Sequence, residues 1–203
     1  MRQEEWPSLE TLELTFLYVS RLSAGRFHSV TTLRLVDCCY KGRFNVLRSF
    51  PNLVRLSLID VVCGEVRLSA PKLEFFSYRD SCQYTQGIHD FSRIRLPSLK
   101  RAELYLSRKY LPNDVFLKLL HGIRNVEFLE LSTIQLRAMN RAGLLKNQTS
   151  YFHKLKSLKL LVNYGLRSLS VPAAVKSYLL SGTPNSQNVH ISLGFLPSDM
   201  EED

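Results

Sequence analysis

A spaced pattern of apolar residues, L-x-x-L-x-L, recurs along this chain and constrains its fold more than any other feature. Seven copies are well formed, and their first positions lie about 24 residues apart on average. The copies are Leu9/Leu12/Leu14, Val30/Leu33/Leu35, Leu53/Leu56/Leu58, Leu73/Phe76/Tyr78, Leu99/Ala102/Leu104, Val126/Leu129/Leu131 and Leu155/Leu158/Leu160. An eighth, degenerate copy ends in Ile191 and Leu193. The chain is therefore built from similar units.

The spacing has a physical meaning. The part x-L-x-L-x is a short strand of period two, so its leucines face a shared core while the flanking residues face solvent. A period of about 24 falls within the range of about 20–29 residues found in leucine-rich repeats. We therefore expect an α/β solenoid, a leucine-rich-repeat horseshoe with a parallel concave sheet and an irregular, partly helical convex side. We expect residues 1–203 to form a single domain of about seven to eight irregular repeats.

The segments that return from one strand to the next differ in length. Two of the longer ones predict helices, one over 115–121 after a cap at 112–114, and one between Ser170 and Gly182. The early returns are too short for more than a turn or a 3₁₀ piece. Within 137–151 the periodicity is weak, and we expect its second half to be a mobile loop.

Length and composition exclude several classes of protein. A chain of 203 residues with 45% hydrophobic residues can bury a sizeable core and is not disordered as a whole. No run approaches the roughly 18 apolar residues of a membrane span, and the start lacks the apolar region of a secretory signal. The four cysteines show no CxxC spacing and are expected to stay thiols. These features predict a cytoplasmic or nuclear protein with no membrane partner.

The charge balance is basic, with a formal net charge of +9 and a short acidic tail at 197–203. Such a balance favours acidic partners. Positive residues are nevertheless spread along the chain, and Glu103 and Glu130 interrupt the predicted concave face. Because no stripe of cations that could follow phosphates is evident, we do not expect nucleic-acid binding.

Signatures of catalysis are missing from the sequence. It contains no GxGxxG, GxxxxGK[ST], GxSxG or HExxH motif, and its five histidines are scattered. No cysteine and histidine residues group at the spacing of metal ligands. We therefore predict no catalytic, cofactor-binding or metal-binding residue, and we expect a binding protein that is not an enzyme.

The concave sheet is the informative surface, because each strand of a solenoid adds its outward residues to one continuous face. Copies three to six place arginine, aromatic and acidic residues side by side there, a composition typical of protein-binding hot spots. The candidate partner-binding residues are Arg55, Phe75, Arg79, Arg101, Glu103, Tyr105, Phe128 and Glu130. The alternative is an ordinary solvated sheet whose bulky residues cover the backbone.

Four phrases go beyond a generic repeat: residues 50–58 (FPNLVRLSL), 68–76 (LSAPKLEFF), 120–131 (LHGIRNVEFLEL) and 152–155 (FHKL). These phrases resemble the repeat region of plant F-box/leucine-rich-repeat proteins. Residues 171–193 are similar to the segment that closes the array in FBD-type members of that family.

The resemblance implies the substrate-recognition part of an F-box protein of an SCF-type ubiquitin ligase, with a protein substrate or ligand on the concave face. The adaptor-docking F-box helices are missing from this sequence, and Ser186-Gln187 replace the family's Leu-Glu pair. Adaptor binding is therefore not carried over. A leucine-rich-repeat fragment of an intracellular plant immune receptor stays open as the alternative.

The start of the repeat array gives one more expectation. Solenoids need terminal caps with a polar outer face, and no capping helix precedes Leu9. We therefore expect the hydrophobic edge of the first repeat to be exposed, and the chain to associate with other subunits through that end.

Overall fold

The computed structural model describes residues 8–19, 27–81, 88, 90–106, 112–141, 143, 145, 152–162, 173–181, 183 and 189–195. The strands are β1 (Thr11–Thr15), β2 (Tyr18–Val19), β3 (Thr32–Val36), β4 (Cys39–Asn45), β5 (Arg55–Ile59), β6 (Val62–Ser69), β7 (Phe75–Asp80), β8 (Phe91–Arg95), β9 (Arg101–Leu106), β10 (Phe128–Ser132), β11 (Ser157–Val162) and β12 (His190–Phe195). The helices are α1 (Val46–Ser49), α2 (Asn113–Gly122), α3 (Ile134–Arg141) and α4 (Ala173–Leu180). The predicted acidic tail at 197–203 lies outside the described residues.

Eight of these strands form one large parallel sheet, in the order β1-β3-β5-β7-β9-β10-β11-β12. The L-x-x-L-x-L copies pair in register, so that their second apolar positions make a row across the sheet. This row runs Leu12, Leu33, Leu56, Phe76, Ala102, Leu129, Leu158 and Ile191. The expectation of an α/β protein with a parallel sheet is confirmed.

The return segments build a second parallel sheet of four strands, in the order β2-β4-β6-β8. The prediction that the early returns hold only turns or 3₁₀ pieces is therefore wrong. Its physical reason is pairing between repeats: once the repeats lie side by side, each return has a neighbour whose backbone groups can satisfy its own. This sheet is less regular, with register shifts between Tyr40 and Arg43 and between Arg67 and Ser69.

The predicted helix over 115–121 is confirmed as α2, which starts two residues earlier and has no side-chain cap bond at Pro112. The second predicted helix is present as α4, although Ser170 and Gly182 lie outside the described residues. Helix α3 was not predicted from the sequence, although its buried residues Leu136 and Met139 lie three residues apart, a spacing typical of one helix face. Of the helices described, none is long and apolar enough to cross a membrane.

The core lies between the inward face of the eight-stranded sheet and the returns. Tyr78 of β7 and Phe91 of β8 meet there with ring centroids 5.3 Å apart, and both side chains are buried. Leu33, Leu56 and Leu58 are fully buried on the same inward face. Since these residues use one face of the sheet for the core, the opposite face is left for other contacts.

A similar turn follows each of the strands β1, β3 and β5. Phe16, Asp37 and Asp60 adopt φ angles of +53°, +49° and +50°, the left-handed region, one residue past the strand. Beside the second of these turns, the buried Cys38 thiol donates to the carbonyl oxygens of Leu14 and Val36, both at 3.3 Å. After each of these turns, the chain leaves the eight-stranded sheet and enters the return segment.

Candidate protein-binding face

The outward face of the eight-stranded sheet carries all eight residues that the sequence singles out. They lie on the neighbouring strands β5, β7, β9 and β10. Strand register places Arg55, Phe75, Arg101 and Phe128 opposite one another in what we call the outer row. A second row holds Ser57, Ser77, Glu103 and Glu130, and a third holds Ile59, Arg79 and Tyr105. The geometry thus brings the candidates together on one surface.

The outer row alternates arginine and phenylalanine. The guanidinium carbon of Arg55 lies 4.3 Å from the ring centroid of Phe75, a cation–π contact that holds the side chain flat on the ring. Arg55 is exposed, and within the described part of the chain no carboxylate lies within ion-pair distance of it. Its in-plane N–H groups are therefore available to an acceptor on a partner.

A second arginine is stacked in the third row, where the guanidinium carbon of Arg79 lies 5.3 Å from the ring centroid of Tyr105. Tyr105 itself is buried, with only 9% of its surface exposed, and packs beside Leu161 and Ile134. Burial and the carboxylates of Glu103 and Glu130 raise the pKa of its hydroxyl well above the usual range. Tyr105 thus supports Arg79 and itself offers a partner little contact area.

Two carboxylates in the second row hold the cations around them. Arg101 Nη2 lies 2.8 Å from Glu103 Oε1 and 3.6 Å from Glu130 Oε2. Lys159 of β11 lies 2.7 Å from Glu130 Oε1. Because both glutamates are mostly buried under these partners, the charges at the centre of the face are already compensated.

The relief of this face is shallow. One depression of about 420 Å³ surrounds Phe75 and is bordered by Arg55, Lys100 and Arg101. A smaller one of about 170 Å³ lies beside Phe128, whose side chain is 43% exposed. Both depressions are open and are lined mainly by polar and charged side chains, a lining that suits protruding side chains of another protein.

The sequence reading missed a charged border just before the strands. Lys100 Nζ lies 2.9 Å from Glu74 Oε1, and Lys156 Nζ lies 2.6 Å from Glu127 Oε2. The hydrogen bond from Lys156 lowers the pKa of the Glu127 carboxyl. The sequence does contain a signal for this border, because the residue directly before β7, β9, β10 and β11 alternates between glutamate and lysine.

The described residues contain no group of three or more His, Cys, Asp or Glu side chains that could hold a metal ion. Comparison of the chain with protein-family models, with curated proteins and with solved structures returned no match.

Proposed function

We propose that this chain is a leucine-rich-repeat solenoid whose outward sheet face recognises a protein, as the substrate-recognition part of an F-box protein of a ubiquitin ligase does. The period of about 24 residues supports the repeat assignment. So does the in-register stacking of the L-x-x-L-x-L copies in one parallel sheet. The resemblance of the repeat phrases to plant F-box/leucine-rich-repeat proteins supports the functional class.

The outer row is the observation that carries the proposal. Arginine and aromatic residues are enriched among the few residues that dominate protein interfaces. Here Arg55 is already stacked on Phe75, so little side-chain entropy is lost when a partner binds it. Phe128 adds an exposed ring two strands away, on the far side of Arg101. The outer row thus places contacts for apolar groups and for anionic groups of a partner next to each other.

The ion pairs around the outer row have a different part in recognition. Glu103 and Glu130 neutralise Arg101 and Lys159 within the face, so a partner gains little energy from those cations. Their arrangement still sets which charge patterns fit and which are repelled. We therefore expect affinity to come from Arg55, Phe75 and Phe128, and selectivity from the charged residues beside them.

The test is an affinity capture with the full chain, followed by calorimetry with each purified partner. The variant Arg55→Glu/Phe128→Ala changes two outer-row side chains. A matched control, Arg95→Glu/Tyr18→Ala, changes an exposed arginine and an exposed aromatic of the four-stranded sheet. Circular dichroism confirms that all three chains fold.

A partner that uses the face should bind the outer-row variant at least about 30-fold more weakly, the scale of a lost hot spot of about 2 kcal/mol. It should bind the control as it binds the original chain. Equal binding of both variants by every captured protein would contradict the proposal.

A further inference from the structure

The return side of the molecule contains a cavity that the proposed function does not use. It has a volume of about 660 Å³ and lies between strand β8 and helix α2, with Phe152 and Tyr178 contributing to its wall. Volumes of about 300–1,000 Å³ are typical of sites for small molecules. Its lining is mainly apolar, whereas the depression around Phe75 on the outward face is lined mainly by charged side chains.

The cavity has a structural cause. Helix α2 is the return that follows β9, and it packs against β8, the last strand of the four-stranded sheet. The two elements meet closely at Gly122, where an added Cβ would lie 2.1 Å from Ile94 Cγ2. A helix is wider than the strand that it replaces, so contact at this point leaves space along the rest of β8.

Much of the lining is apolar and fixed in place. Phe91, Leu120, Phe152 and Tyr178 are buried side chains that belong to the main core, and Leu117 is half-buried. An apolar wall of this kind favours a ring or an alkyl chain over a hydrated ion.

The charged groups of the lining differ in how they are paired. Lys118 Nζ lies 3.5 Å from Asp90 Oδ1 and 3.7 Å from Asp114 Oδ2, so these two carboxylates are partly neutralised. Arg93 lies in β8, three residues after Asp90 in the sequence. It is exposed, and among the residues that the structure describes it has no carboxylate or ring partner.

The backbone at Arg93 is unusual for a strand. Its φ angle of +49° is in the left-handed region, which is costly for a residue with a side chain. The register of β6 and β8 shifts at the same place, between Arg67 and Ser69. Shifts of this kind redirect a side chain. Backbone strain therefore coincides with the residue whose guanidinium, unpaired among the described residues, lines the cavity.

From these observations we infer that the cavity binds a small molecule with an apolar ring or chain and one anionic group, and that Arg93 receives the anion. The apolar wall takes the body of the molecule, and the guanidinium donates charge-assisted hydrogen bonds to the carboxylate, sulfonate or phosphate. This site is independent of the outward face, and either proposal can fail alone.

Two fluorescent probes that share an arylaminonaphthalene ring system test the inference. 8-Anilinonaphthalene-1-sulfonate carries the anionic group, and N-phenyl-1-naphthylamine lacks it. Both are titrated into the full chain. In Arg93→Gln the dissociation constant of the sulfonate should rise about tenfold, the effect of losing a charge-assisted contact, while that of the neutral probe stays the same. The control Arg95→Gln, an exposed arginine two residues along β8, should change neither.

A cavity-filling variant shows where the probes bind. Leu117→Trp places a larger side chain in the cavity and should weaken both probes, provided that circular dichroism and thermal unfolding show a folded chain. If Leu117→Trp leaves both dissociation constants unchanged, the probes bind elsewhere and the site is overturned. Absence of binding by either probe also overturns it. Equal effects of Arg93→Gln on the two probes would overturn the role of Arg93.

Discussion

The two sheets of this protein differ in regularity although the same repeats build both. The eight-stranded sheet pairs with no register shift, and every ladder places a leucine position beside the next. The four-stranded sheet has two register shifts and left-handed residues at Gly42 and Arg93, and it stops at β8, where α2 takes over as the return.

The difference shows what the leucine pattern specifies. A strand with two inward leucines has one register that buries them, because a slip of one residue would turn them to solvent. The returns lack such a fixed pattern, so bulges, glycines and a helix can replace regular strand there. Regularity on one side of the core therefore coexists with variation on the other, and the cavity lies on the variable side.

The largest loss of stability is expected from a substitution in the core of the eight-stranded sheet. Phe76 is fully buried between neighbouring strands, so Phe76→Ala should lower the free energy of unfolding by about 3–5 kcal/mol in urea titrations. Phe75 is adjacent but points outward, and Phe75→Ala should cost less than about 1 kcal/mol. Similar losses in the two variants would contradict the assignment of inward and outward faces.

A smaller loss of stability is expected from a substitution where helix α2 meets the four-stranded sheet. Alanine usually stabilises a helix relative to glycine by about 1 kcal/mol. In Gly122→Ala, however, the methyl group would lie 2.1 Å from Ile94 Cγ2, so a net loss of about 1–3 kcal/mol is expected. Adding Ile94→Ala should recover part of it in a double-mutant cycle. Strict additivity of the two changes would show that the helix does not contact β8 in this way.

A substitution at the bulge in β4 should change the stability of the chain through backbone strain alone. Gly42 has a φ angle of +102°, and an added Cβ would meet no atom within 4 Å. Gly42→Ala is therefore expected to cost about 1–2 kcal/mol of stability from backbone strain. In the eight-stranded sheet the outward change Ser57→Ala should stay within about 0.5 kcal/mol. Chemical denaturation of both variants measures the contrast, and a neutral Gly42→Ala would remove it.

The smallest expected effect is a change in how the stability of the chain depends on pH. Glu65 of β6 accepts a hydrogen bond from Ser92 and forms ion pairs with Arg43 at 2.6 Å and Arg67 at 3.2 Å. These contacts, led by Ser92, lower the pKa of Glu65 below its ordinary value of 4.5. A lowered pKa in the folded chain adds stability above the ordinary pKa, and this stability is lost as the pH falls through the folded value.

Glu65→Gln should therefore destabilise the chain at pH 7 by at most about 1 kcal/mol, and the difference should shrink as the pH is lowered towards 3. Glu127→Gln is the control on the eight-stranded side, where the pair with Lys156 is exposed and salt screens it more strongly. Unfolding measured across this pH range, at low and high salt, distinguishes the two. A constant difference between Glu65→Gln and the original chain would show that the carboxylate is not paired.

The sequence predicts the regular sheet well, because its signal is local. Inward leucines at fixed spacing determine both the strands and their alignment, as the row through Leu33 and Leu56 shows. The second sheet could not be predicted in the same way. Its strands are interrupted by Gly42 and Gly64 and are stabilised by pairing with distant returns, which no single segment encodes.

The candidate face was predictable in position but not in detail. Strand register places Arg55 beside Phe75 whatever their rotamers, and the structure adds that the two side chains stack. The burial of Tyr105 depends on Leu161 and on Ile134 of α3, a helix that was not predicted from the sequence. Residues supplied by later repeats therefore decide which predicted contacts stay exposed.

The sequential strand order of the eight-stranded sheet has a mechanical consequence. Within it, each strand is bonded only to the strands that lie beside it in the order β1-β3-β5-β7-β9-β10-β11-β12. A stretching force applied to the two ends of the sheet, across its strands, would load one ladder of hydrogen bonds after another. The molecule should then unzip in small steps of about one repeat, and a single large rupture is not expected. The extension of such a chain would therefore increase gradually as the applied force rises.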